Sequence, residues 1–283
     1  MHSSSPIEQI ARCRPALGTY VRIAVTGLTP NNAANAIASG FAAIERVEAL
    51  MSFHRADSQL HELHRNGLRR WIPISRELSE VLALSKKLYG ASAGAFDPSI
   101  GGKLMHAGLL PFISDVPEPD PKADLSQLLL SPGFARLRKP MLLDLGGIGK
   151  GYAVDRALAA IRKSTATCAT VNAGGDLARF GGEEVIALQH PIAGQAPVAA
   201  VKLSNGALAT SSDRYERRAL RTHSSDPPLH AGAAITVIAR RCALADGLTK
   251  IVWLHHDAAT VLRRFGARAL RVNGDGEVTV LCD

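Results

Sequence analysis

The stretch Met141–Asp155, MLLDLGGIGKGYAVD, constrains the fold more than any other. An apolar run passes into a turn carrying Gly146, Gly147, Gly149 and Gly151, and then into a helical pattern. A strand that feeds a glycine turn at a helix start leaves backbone N–H groups converging on one point, and the helix dipole adds positive potential there. Lys150 adds a mobile cation, and Asp144 and Asp155 bracket the segment. A nucleotide phosphate is a natural guest for such a turn. Two common phosphate motifs are not met. Lys150 is followed by Gly151 where a P-loop needs Ser or Thr, and the glycines do not fall in GxGxxG order. Taken alone, the stretch also reads as a tight turn with close helix packing.

The surrounding pattern mixes helices with runs of neighbouring strands. Thr19–Val25 alternates like a strand. Residues 30–51 read as a long helix capped by Asn31 or Asn32. Asp57 starts a short helix, Ser75 caps another, and Gly94–Leu104 reads as a loop. A strand is predicted at Met141–Asp144 and a helix from about Lys150 to Lys163. Strands follow at 167–175, 183–190, 198–203, 207–212 and 233–239, then a helix at 242–254 and a terminal hairpin around NGDG. There is no steady βαβ beat, which argues for α+β over a doubly wound sheet.

Composition excludes several classes. The net charge is +8, but the basic pairs Arg69-Arg70, Arg217-Arg218, Arg240-Arg241 and Arg263-Arg264 are scattered, and aromatics make up only 5%. A single-strand stacking platform needs more of both, so no nucleic-acid partner is expected; a basic nucleic-acid-binding protein is the outlying alternative. No window of about 18 apolar residues exists, so no membrane span is expected. The start has no apolar signal region. Cys13, Cys168, Cys242 and Cys282 lie far apart without a CxxC. A reduced, cytoplasmic setting is the expectation. His61 and His64 share a helix face within HELH, which is not HExxH, and that face is read as solvated.

Further segments repeat the small-residue theme in a fixed order. They are Leu17-Gly18-Thr19, Met51-Ser52 through Asp57-Ser58, Gly94–Ser99 (GAFDPS), Asn172–Asp176 (NAGGD), Thr210-Ser211-Ser212, His223 with Asp226-Pro227, and Ala245–Leu248 (ADGL). With DLGGIGKGYAVD, which differs by Gly149 for alanine, this ordered set resembles the ApbE family, the FAD:protein FMN transferases. The resemblance covers about residues 15 to 255. It implies an α+β, ApbE-like (T-fold-related) fold of mixed sheets flanked by helices. Residues 1–14 would be a tail and 15–283 one flavin transferase domain, with 116–125, rich in proline, read as a surface loop, or as the meeting point if there are two lobes.

The resemblance also implies a chemistry. Such proteins cleave the FAD pyrophosphate and esterify FMN onto a threonine or serine of a target flavoprotein; some relatives bind or hydrolyse FAD without modifying a protein. FAD would be the substrate and an unidentified flavoprotein the acceptor, a cytoplasmic one given the missing export signal. Likeness places Asp144 and Lys150 at FAD, with Ala95, Phe96, Asp97, Thr210 and Ser211, and with Leu17 and Phe53 beside the flavin. His223 and Asp226 would be catalytic, His223 because imidazole titrates near neutrality and the acceptor hydroxyl must lose a proton. Asp155 and Asp176 are read as structural.

A divalent magnesium ion is implied at the Gly147 carbonyl, Asp246 and a threonine four residues on. Here that fourth position holds Lys250, and Thr249 comes one residue early, about 100° round the helix. Lys250 could swing aside, Thr249 could substitute by a local shift, or the Lys250 ammonium could take the cation's place. The third is the reading adopted, and it predicts FAD affinity with little magnesium-dependent cleavage.

Overall fold

The structure, a computed structural model, describes residues 9–192, 194–212 and 232–282. The chain begins β1 (Gln9–Ala16), β2 (Thr19–Thr26), α1 (Pro30–Met51), α2 (Gln59–Asn66), β3 (Ile72–Pro73), α3 (Arg76–Ala91) and α4 (Gly101–His106). It continues β4 (Leu128–Ser131), β5 (Phe134–Leu137), α5 (Gly149–Ile161), β6 (Cys168–Ala173), β7 (Asp176–Phe180), β8 (Glu184–Leu188) and β9 (Ala199–Leu203). Last come β10 (Gly206–Ser212), β11 (Ala234–Ala239), α6 (Cys242–Leu254), α7 (Ala258–Arg264), β12 (Arg268–Val272) and β13 (Val278–Cys282).

An eight-stranded sheet in the order β1-β2-β6-β7-β10-β11-β12-β13 is the backbone of the fold, and every neighbouring pair is antiparallel. Side chains alternate across it. Ala169, Val171 and Ala173 of β6 and Ala207 and Ala209 of β10 face the main core. Small side chains there let α1, α5 and α6 lie close to the sheet. On the other face Leu177, Leu203 and Leu208 form a small cluster beneath the β8–β9 hairpin. A three-stranded sheet, β3-β5-β4, adds Ile72, Leu128, Ala135 and Leu137 to the main core.

α1 buries Ala33, Ala36, Ile37, Gly40, Phe41, Ile44, Val47 and Met51, an apolar stripe of helical period. Its cap is Thr29, whose hydroxyl accepts from Asn32 N, and Pro30 takes the first turn. Proline at that place forfeits no helical bond, so Asn31 and Asn32 lie inside the helix instead of capping it. Ser58, not Asp57, caps α2, while Ser75 caps α3 as expected.

Other expectations are corrected. Gln9–Arg14, read as tail, belong to β1, which closes on β2 through Leu17 (φ 56°) and Gly18 (φ 71°). Two consecutive positive φ values make the tight hairpin turn that suits strand twist. Met141–Asp144 is not a strand; Leu142 makes one parallel bridge to Ile100. Gly101 N donates to Leu142 O (2.9 Å) and Asp144 N to Pro98 O (2.8 Å), so the GAFDPS segment and the residues just after it supply its partner. The end of the predicted 94–104 loop is helix α4. The proline-rich 116–125 segment is a loop, as read, up to Asp124, and Leu125 opens a 3-10 turn; Ala123 and Leu125 enter the main core.

His61 and His64 are buried, not solvated, at 4% and 2% exposure. His61 Nε2 bonds the Phe53 carbonyl at 2.8 Å, and His64 Nε2 accepts from Leu143 N at 2.9 Å. They serve as polar ties between α2 and two loops, and burial pushes the His64 ring down to about 3.

Candidate functional site

The glycine turn at the start of α5 sits over the middle of α6. α6 is buried nearly all round, including Asp246 at 0%, Thr249 at 0% and Lys250 at 3% exposure. A lysine and an aspartate are rarely buried this fully unless paired. Lys250 Nζ reaches Ser211 Oγ at 2.5 Å, Asp246 Oδ1 at 3.2 Å and Thr249 Oγ1 at 3.2 Å. The Asp246–Lys250 pair is one helical turn apart, and Ser211 comes from the core face of β10, two residues beyond Ala209.

Two helix starts meet here, and each lacks a side-chain cap of its own. Asp246 Oδ2 of α6 accepts from Gly151 N of α5 at 3.2 Å. Asp155 of α5 accepts from Cys242 N (2.7 Å) and Ala243 N (3.0 Å) of α6. The backbones touch: a Cβ on Gly151 would lie 2.4 Å from Cys242 O. Asp155, read as structural, takes that part as a cap on a distant helix. Burial raises its carboxyl to about 6, against the two N–H bonds that lower it.

The other predicted residues distribute around this centre. Phe96 is buried beside Gly147, whose Cβ position is 3.7 Å from its ring and 3.4 Å from the Lys250 stem. Asp97 and Asp144 are half-buried, each spending one oxygen on its own turn, Asp97 on Ser99 N (2.8 Å) and Asp144 on Gly146 N (3.0 Å). Ala95 N donates to Ser92 O in the same loop. Lys150 pairs with buried Asp176 at 3.2 Å. Gly175 O accepts from Thr210 N, and Gly174 abuts Thr19, which brings the Leu17 hairpin turn to the same rim.

Two predicted contacts lie apart from the Lys250 cluster. Thr210 points to the opposite face from Ser211 and bonds Thr236 Oγ1 at 2.9 Å. Phe53 packs with Ile100, Leu104 and Leu142 in a separate apolar cluster. His223 and Asp226 lie outside the described residues, in the connection from β10 to β11. Sequence reading missed the capping role of Asp155, because its target Cys242 is 87 residues away and leaves no local signal.

The donors suggested for magnesium do not fit it. Magnesium takes hard oxygens in near-octahedral array. Both Asp246 oxygens are committed, one to Gly151 N and one to Lys250. The Thr249 hydroxyl donates to Asp246 O at 2.7 Å and faces Ser211 Oγ at 2.9 Å. An ammonium lies among them. Among the described residues no three His, Cys, Asp or Glu side chains come together to hold a metal.

This fold, an antiparallel sheet backed by helices with a glycine turn over a buried ion pair, defines a recognisable class. A family model described as the ApbE family matches residues 17–270, and the chain belongs to that family. An FAD:protein FMN transferase of Klebsiella pneumoniae (strain 342) is 27% identical over 186 residues, covering 62% of this chain and 58% of that protein. One of Treponema pallidum (strain Nichols) is 25% identical over 315 residues, covering 96% of this chain and 86% of the relative. The crystal structure of the ApbE protein from Thermotoga maritima superposes with a TM-score of 0.82 at 24% identity, over 96% of this chain and 97% of that one. No described helix is long and apolar enough to cross a membrane.

Proposed function

We propose that this chain is an FAD:protein FMN transferase acting on a cytoplasmic flavoprotein, with β1 through β13 working as one domain. The observation that carries the reading is a convergence. The family match spans 17–270, and segments with the family's motifs meet around the glycine turn of α5. Relatives that match the chain bear the name FAD:protein FMN transferase.

In this reading the FAD phosphates lie against the glycine turn, where glycine permits close backbone approach. Asp97, Asp144 and Lys150 hold the nucleotide, with Ala95, Phe96 and the Leu17 turn toward the flavin. The acceptor's hydroxyl oxygen attacks the phosphorus of the FMN half. The bond to the AMP half breaks, AMP leaves, and the hydroxyl proton passes to His223, with Asp226 beside it in the motif. A positioned general base of this kind contributes about 10²- to 10⁴-fold.

The test is incubation of the purified chain with FAD and candidate acceptors, reading AMP release and FMN mass on the acceptor. Both are expected together. His223→Ala should lose the labelling and keep FAD affinity. AMP without labelled protein would favour the hydrolysing alternative, and failure to bind FAD would sink the proposal.

A further inference from the structure

We infer that the Lys250 ammonium is the resident cation of this site, standing where a divalent metal would otherwise bind, so that the ligand is held without one. The inference rests on the proposed function only for the identity of that ligand as FAD.

The geometry is that of a filled cation site. An ammonium has three N–H donors and no acceptor, and three side-chain oxygens lie 2.5–3.2 Å from Lys250 Nζ. One belongs to Asp246, which is fully buried and needs a compensating charge close by. The other two are the hydroxyls of Ser211 and Thr249, 2.9 Å from each other. The aliphatic stem also fills the space beneath the turn, because a Cβ on Gly147 would touch Lys250 Cγ and Cε at 3.4 Å. A divalent ion at Asp246 would have to displace the stem and would be repelled by the ammonium, strongly so in a site shielded from water. The ammonium in turn places one fixed positive charge under the half-buried Gly147, beside the N-terminus of α5. That serves a bound phosphate, but as a single charge where a metal supplies two.

Two readouts on the full chain test this. The first is manganese binding by electron paramagnetic resonance in chelator-treated buffer, with and without FAD, for the wild type, Lys250→Thr and Lys250→Ala. The second is FAD affinity by flavin fluorescence, with and without EDTA. The wild type should show no stoichiometric manganese site, and EDTA should leave its FAD affinity unchanged. Lys250→Thr should gain one site, at least about 100-fold tighter than anything in the wild type, once the like charge is gone. Lys250→Ala removes the ammonium and the stem alike and serves if the threonine variant does not fold; it too should gain manganese affinity. A stoichiometric manganese site in the wild type, FAD affinity that collapses in EDTA, or folded variants that gain no site would each overturn the inference. If the wild type binds no FAD at all, the flavin reading falls and the manganese measurements still decide about Lys250.

Discussion

Asp155 and Asp246 exchange helix caps: Asp155 of α5 holds the first N–H groups of α6, and Asp246 of α6 holds Gly151 N of α5. The two helices that frame the site are thus locked end to end by carboxylates, and α6 carries Lys250 within that lock. Removing the first cap should loosen both.

Asp155→Ala should cost about 2 kcal/mol or more, since two buried N–H groups lose their acceptor. Urea unfolding near pH 4, where the folded carboxyl keeps its proton, measures it. The pH dependence has a definite sign. The carboxyl titrates near 3.8 when unfolded and is raised to about 6 in the fold, chiefly by burial. Its contribution is therefore greatest below the unfolded value and is lost as pH rises through about 6, to the extent of roughly 3 kcal/mol. Asp155→Asn should flatten the stability profile between about pH 4 and 7. A profile unchanged by the substitution would contradict this account.

His64 predicts the opposite slope. Its ring titrates at 6.5 when unfolded and at about 3 in the fold, mainly because it is buried. The unfolded chain takes up a proton that the fold refuses, so stability falls as pH drops from about 6.5 toward 3. His64→Leu should cost about 1–3 kcal/mol at neutral pH, by orphaning Leu143 N, yet show a shallower acid loss. Unfolding curves at neutral pH and near pH 4.5 separate the two effects.

Two glycines of the same turn should respond differently to alanine. At Gly151 a Cβ would lie 2.4 Å from the Cys242 carbonyl oxygen, and backbone cannot step aside, so Gly151→Ala should cost about 3 kcal/mol or more. At Gly149 the nearest atom is Leu145 Cβ at 3.9 Å, and the residue opens α5. Gly149→Ala should stabilise by about 0.5–1 kcal/mol through reduced freedom of the unfolded chain. Thermal melts of the two variants give the comparison.

Ser211 and Thr210 form a second contrast. Ser211→Ala takes an acceptor from Lys250 and should cost about 1–3 kcal/mol. Thr210→Val keeps the shape and loses one bond to Thr236 on the other face, with an expected cost below about 1 kcal/mol. Urea unfolding of both variants makes the comparison. Equal losses would mean that the buried cluster does not depend on the Ser211 hydroxyl.

What the sequence determined is what local period and composition record. The stripe of α1 is visible because burial repeats along it at the helical period, and β10, β11 and the Ser75 cap are visible as short runs and signals local to the chain. The ordered glycine and acid motifs likewise announced the ApbE family. β1 was invisible because an exposed edge strand has no apolar face to alternate, and α4 because six residues are too few to show a period. Packing alone decided the partners. The turn of α2 reads the same whether its histidines meet water or core, and only the loops laid over it bury His61 and His64. Asp155 looks like a surface acid until α6 arrives from 87 residues away with two uncapped N–H groups. Lys250 and Asp246 are a common helical pair in the sequence. Burial under the glycine turn, with Ser211 brought in from β10, makes them the charged centre of the site.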